Sequence, residues 1–190
     1  MRHHTRVILG ERIRLRRVER VDLPRFVSWL NDVAVREHLA LFHPLGLDDE
    51  ERWFEEQAAR EPVLRPLSIE ARAADVRKDA ADPEWTHIGS IGFHHVDWKN
   101  RTGELGIVIG DKAWWGRGYG TDAVRALARW AFDELALNRL WLRVYEDNAR
   151  ARRSYEKAGF QVEGRLRQDR FHGGHYTDTV IMGLLRDELR

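Results

Sequence analysis

The chain reads as a mixed α/β (α+β) domain, a sheet with helices packed on it, and three observations carry that reading. Seven short apolar or alternating runs look like strands and four segments have helical spacing, so strands dominate and helices are interspersed. In the middle, GELGIVIG, WWGRGYG, a long helical pattern and RLWLRVY follow in the order strand, loop, helix, strand. Finally, 190 residues make one domain of ordinary size, 1–190, and 43% hydrophobic with 33% charged residues suits a globular chain.

The elements follow in order. RIRLRRV alternates Ile13, Leu15 and Val18 against arginines, which predicts the first strand. VDLPRFVSWLNDVAVREHL predicts a helix: Asp22 can cap it, Pro24 suits a first turn, and Leu23, Phe26, Val27 and Leu30 share one stripe. LDDEERWFEEQAARE predicts a second helix, acidic where the helix dipole favours negative charge. PLSIEARAA and THIGSIGFHHVDW are strands of a hairpin whose long polar loop, DVRKDAADPEW, contains Pro83. KNRTG is a turn, GELGIVIG a strand, and Val124, Leu127, Ala128, Ala131 and Leu135 mark a long amphipathic helix. RLWLRVY is a strand, and NARARRSYEKAG a helix stopped by Gly159. FQVEGRLRQDRF and YTDTVIMGLL are strands joined at Gly173-Gly174.

Composition excludes several function classes. The chain has no cysteine, so it holds no disulfide, thiolate nucleophile or zinc–cysteine site. A net charge of +1 supplies no global field for nucleic acid. MRHHTRVILG lacks the apolar core of a signal peptide, and no run approaches a membrane span. The expectation is a cytoplasmic protein with no membrane or nucleic-acid partner. His94-His95 are adjacent on a strand and so face opposite sides, and no Asp/Glu/His cluster completes a metal site around any histidine.

Gly116, Gly118 and Gly120 sit where the apolar strand meets the long helix. A helix N-terminus offers unpaired N–H groups and about half a positive charge, and glycines let backbone approach an anion closely. Together they can seat a pyrophosphate, with Arg117 adding charge and Thr121 a hydroxyl. The loop has no P-loop lysine, and its G-x-G-x-G spacing is not that of a dinucleotide fold. On the loop alone, a glycine-rich turn with no ligand explains it equally well.

The wider context resembles the GNAT acetyltransferase superfamily. WGRGYG is similar to its acyl-CoA loop, Q/R-x-x-G-x-G/A, except that Trp115 stands where Gln or Arg is usual. An aromatic-WG-[KR]-G-Y pattern resembles the subfamily that acetylates ribosomal-protein N-termini. DNARARRSYEKAGF is similar to the family's N-x-x-A-x-x-x-Y-E-K-x-G-F helix, and the two ends of the chain, LGERIRLRRVERVDLPRFVSWLND and RFHGGHYTDTVIMGLL, also match. The resemblance implies that the seven strands form a mixed central sheet splayed at its middle, with the four helices packed on it. It implies direct transfer of an acetyl group from acetyl-CoA, a co-substrate, to a primary amine.

It also implies roles. Val108, Ile109 and Gly110, on the strand that should splay, would bond the cofactor arm, as would Gly116, Arg117, Gly118, Tyr119, Gly120, Thr121 and Asn148. Glu104 is the candidate base, on the side of its strand opposite Leu105, Ile107 and Ile109, although it could equally be a surface salt-bridge partner. Tyr155, seven residues and two helical turns after Asn148, is the candidate acid for the departing thiolate, with core packing as its other reading. Asn148 could equally cap its helix. Asn31, Asp32 and Trp98 are candidate acceptor contacts, though a helix-end turn explains the first two as well. An α-amine near pKa 8 is already about one-tenth neutral at pH 7, whereas a lysine-like amine near 10.4 is far less so, so a base matters more for the second. A protein N-terminus, a polyamine and an aminoglycoside all remain open as acceptors, a non-catalytic acyl-CoA sensor is the reading from another class, and a homodimer through the C-terminal strands is expected.

Overall fold

The computed structural model describes residues 7–72 and 85–190. Its eight strands are β1 (Ile8–Leu9), β2 (Ile13–Arg17), β3 (Leu67–Ala71), β4 (Thr86–Asp97), β5 (Thr102–Ile109), β6 (Arg139–Tyr145), β7 (Gln161–His172) and β8 (His175–Leu185). They form one sheet in the order β1-β2-β3-β4-β5-β6-β8-β7. Every pairing is antiparallel except β5 with β6. The α-helices are α1 (Leu23–Asn31), α2 (Val33–Arg36), α3 (Leu47–Gln57), α4 (Tyr119–Asp133) and α5 (Ala149–Ala158). The mixed α/β architecture is as expected, with one strand and one helix more than the seven and four anticipated. The extra strand, β1, is two residues long, too short to carry a period-2 signal. The polar loop anticipated at 75–85 lies, but for Trp85, outside the described residues.

The first helical pattern breaks at Asp32, whose backbone is extended. The cause is local: the Asp32 carboxylate accepts from Ala34 N at 2.9 Å, capping α2 and ending α1. Asp22 holds the N-cap position of α1 without capping it, because its side chain turns into the protein. Gly159 ends α5 at φ +110, and Gly173 and Gly174 turn the last hairpin at φ +59 and +84, the all-positive pair that matches strand twist.

α4 supplies most of the helical half of the core. Ala123, Val124, Leu127, Ala128 and Ala131 are buried and pack with Leu105, Leu140 and Leu142 of the sheet. α1 and α3 form a second, aromatic layer in which Phe26 meets Trp29, Trp53 and His87 edge-on. Trp29 lies so close to Gly110 that a Cβ there would sit 2.2 Å from the indole.

A buried polar knot ties these layers together. Asp22 accepts from both Arg16 Nη atoms at 2.7 Å, from Ser68 Oγ at 2.9 Å and from Glu19 N at 2.9 Å. His87 Nδ1 lies 3.2 Å from the same carboxylate, and Arg16 Nε reaches Glu70 at 2.8 Å. Burial pushes the Asp22 carboxyl up, but the hydrogen bonds from Arg16 and Glu19, with His87 and Ser68, outweigh it and hold it near 2. Removing one member leaves a buried charge without its partner.

Asp22→Asn is therefore expected to cost about 3–5 kcal/mol in urea unfolding. The native carboxyl titrates below its unfolded value, so its contribution is complete above about pH 4 and is lost as pH falls toward 2. Acid titration of stability is expected to be shallower in the variant over that window.

Candidate active site

β5 and β6 are ladder partners only at Thr102–Arg139, Gly103–Leu140 and Glu104–Trp141. Beyond them β5 continues with β4 to Ile109, and β6 continues with β8 to Tyr145. The sheet therefore parts in its middle, and a cleft of about 1180 Å³ occupies the parting. Glu104, Val108, Ile109, Asn148 and Tyr155 all line it.

The glycine loop closes one end. Gly116 and Gly118 have φ +71 and +86, and a Cβ at Gly116 would meet nothing within 4 Å. α4 starts immediately afterwards, so the orphan N–H groups of its first turn face the loop. Gly116, Gly118, Gly120 and Thr121 line the cleft. The Thr121 hydroxyl is 2.8 Å from Ser154 Oγ, which pins α4 to α5. Tyr119 is buried behind the loop, its hydroxyl donating to Arg72 O and its ring under Arg12 at 4.3 Å. Tyr119 itself does not line the cleft. The Arg117 side chain is exposed, while its carbonyl accepts from Arg12 Nη2 at 2.9 Å. Asp122, one turn into α4, accepts from Glu11 N and Arg12 N, so the β1–β2 turn braces the loop from outside.

Trp115 has a structural role. Its indole N–H donates to Ile109 O at 2.7 Å, and the Arg150 guanidinium lies 3.5 Å over its ring. The last carbonyl of β5 is thereby occupied by the side chain that replaces the usual Gln or Arg. Gly110 N donates to Ile88 O at 2.9 Å and the residue does not line the cleft. Its glycine makes room for Trp29, so the backbone contacts expected at Ile109 and Gly110 are partly spent within the protein.

Tyr155 is 8% exposed and packs beside Phe160, and burial pushes its hydroxyl up to about 12. It stays protonated at neutral pH, as a proton donor must. Asn148 caps α5 by accepting from Ala151 N at 3.1 Å, and it also lines the cleft. Glu104 is half-buried and, among the described residues, paired with no cation.

The residues expected as acceptor contacts are engaged by other parts of the protein. Asn31 donates to Val27 O and Leu45 O and accepts from Leu45 N, stitching the segment after α2 to α1. Asp32 pairs with Lys112 at 2.5 Å, and Trp98 is exposed with its indole on Glu61. None of the three lines the cleft. The cleft is lined in addition by residues the sequence left unmarked: His38, Leu39, Phe42, Arg170 and Phe171. Two irregularities bring side chains in. On β7, Arg167–Asp169 bulge opposite Asp178, which returns Arg170 to the inside. On β4 the register shifts at His94, so the two adjacent histidines do not simply alternate; the His94 ring covers Gly106, where a Cβ would sit 2.1 Å from Nε2.

Comparison with known proteins gives this arrangement its context. The family model described as an acetyltransferase (GNAT) domain matches residues 12–161. The "SPbeta prophage-derived uncharacterized N-acetyltransferase YokL" of Bacillus subtilis strain 168 is 28% identical over 94% of this chain and 93% of its own. The "Putative ribosomal N-acetyltransferase YdaF" of the same organism is 37% identical over 53% of this chain and 54% of its own. A spermidine N-acetyltransferase from Vibrio cholerae, solved in complex with CoA and spermine, superposes with a TM-score of 0.79 over 94% of this chain and 98% of its own, at 22% identity.

At Gly118, a side chain would have to hold φ +86 with its Cβ 3.0 Å from Arg12 Nη2. Gly118→Ala is expected to cost about 1 kcal/mol, read as a fall of about 2–4 °C in thermal midpoint.

Proposed function

The chain belongs to the GNAT acetyltransferase family and is an N-acetyltransferase; on that premise we propose that it acetylates the α-amine of a protein N-terminus, of the ribosomal-protein type, with acetyl-CoA as donor. The glycine loop and the first turn of α4 fit a pyrophosphate, and the parted strands fit an extended cofactor arm. In this reading the amine attacks the thioester carbonyl directly. Glu104 draws in the acceptor ammonium, and Tyr155 gives its proton to the departing sulfur.

The observation that carries the choice of acceptor is the charge of the cleft. Its lining carboxylates, among the described residues, are Glu104 and Asp169, and Asp169 is taken by Arg143 at 2.7 Å. Arg60, Arg150, Arg153 and Lys157 line it as well, as does Arg170, which is paired with Asp147. One unpaired carboxylate among several cations suits an acceptor with a single ammonium group. A polyamine carries several charges and would meet repulsion at every one beyond the first. Leu39, Leu41, Phe42, Leu64 and Phe171 give the mouth apolar walls for the residues that follow an N-terminal amine. The full-length likeness to a spermidine N-acetyltransferase favours a polyamine as the second reading.

Thiol release from acetyl-CoA separates the two. Peptides with free N-termini are expected to exceed spermidine by at least about tenfold in kcat/KM, and the reverse order would select the second reading. Tyr155→Phe is expected to lower kcat by about 10²-fold, and Glu104→Gln to lower kcat/KM for the amine similarly, with the acetyl-CoA KM little changed in both.

A further inference from the structure

Several further titratable groups line the same cleft, and His38 stands out among them by its surroundings. His38 follows α2, and its Nδ1 is buried, makes no hydrogen bond and lies 3.7 Å from Asp147 Oδ1. Asp147 is held from the other side by Arg170 Nη1, 3.3 Å from Oδ2. Arg170 is itself buried, stacks 3.9 Å from the Tyr145 ring, and donates through Nη2 to Glu37 O, the carbonyl preceding His38. The segment after α2, the β6–α5 junction and the bulged β7 thus converge on one imidazole. A buried ring nitrogen without a hydrogen bond is unfavourable, and such local violations are where function is to be sought.

We propose that His38 is a further acid–base residue on the acceptor side: with its proton on Nδ1, toward Asp147, its Nε2 accepts first a hydrogen bond and then a proton from the acceptor ammonium. The inference rests on the amine N-acetyltransferase reading above. Glu104 attracts the ammonium and His38 removes a proton from it. The freed nitrogen pair forms the bond to the acetyl carbon, and the carbon–sulfur bond breaks. Tyr155 protonates the sulfur, and the second proton shed by the nitrogen replaces the one Tyr155 gave. One proton is released overall, from His38 to solvent.

The surroundings suit the role. Burial holds His38 below its ordinary value of 6.5; Asp147 and Glu37 push it back up, and Arg170 and Arg150 push it down. The imidazole is neutral at pH 7, as a proton acceptor must be. Acidification charges it, and the charge then repels the incoming ammonium.

The test is the pH dependence of kcat/KM for a peptide with a free N-terminus. The unaltered enzyme is expected to show an acid limb below the ordinary imidazole value. His38→Gln is expected to lose that limb and about 10²-fold of kcat/KM at pH 7, with the acetyl-CoA KM within about twofold. Asp147→Asn removes a carboxylate and should move the limb to lower pH; Arg150→Gln removes a cation and should move it to higher pH. A merely structural role predicts no such opposite shifts. A folded His38→Gln with full activity and an intact limb overturns the inference and leaves the reading standing. Should that variant not fold, the two flanking variants decide, and shifts in one direction or none overturn it. An unaltered enzyme that turns over no amine overturns the reading and the inference together.

Discussion

Everything functional in this molecule follows from the parting of β5 and β6 after Glu104 and Trp141. A sheet does not open in its middle cheaply, because each ladder position abandoned leaves backbone N–H and C=O groups to be satisfied some other way. Here each strand keeps its outer partner: β5 stays bonded to β4, and β6 to β8. The wedge between them is kept by side chains at its rim. Trp115 takes the terminal carbonyl of β5, and the Thr121–Ser154 contact joins the helices that follow each strand. The cleft is a property of the sheet, which is why a glycine loop, a capped helix and an unpaired carboxylate face one volume.

The two walls are held by separate means. At the glycine-loop wall, the end of β5 is positioned by Trp29 filling the space over Gly110, and Trp29 in turn meets His87 edge-on at 4.9 Å, beside the Asp22–Arg16 knot. The loop beyond is braced by Asp122 and Arg12 from the β1–β2 turn. The wall that carries His38 hangs on Arg170 with its contacts to Asp147, Glu37 and Tyr145. Apolar packing sets the first wall, and charged hydrogen bonds set the second.

Much of this was legible in the residues. The alternation of Ile13 and Leu15 and the stripe through Val124, Leu127 and Ala131 located β2 and α4, because each reports a local periodicity that burial enforces. The glycine loop and the Asn148/Tyr155 spacing were readable for the same reason: they are local patterns. Failures came where the cause was distant. Asn31, Asp32 and Trp98 looked like acceptor contacts by position, but each is consumed by a partner far along the chain or in the next turn. His38 and Arg170 carried no pattern at all. They meet only because a bulge of Arg167–Asp169 interrupts β7, and no period-2 count foresees which way a strand faces after such an insertion.

Asp147 and Asn148 are neighbours that work on opposite walls. The first anchors one wall through Arg170 and stands beside His38; the second caps the helix that carries Tyr155. The chain crosses from one wall of the cleft to the other in a single peptide unit. That junction therefore has a fixed length: adding or deleting one residue there would rotate α5 by about 100° relative to the anchor and turn Tyr155 out of the cleft.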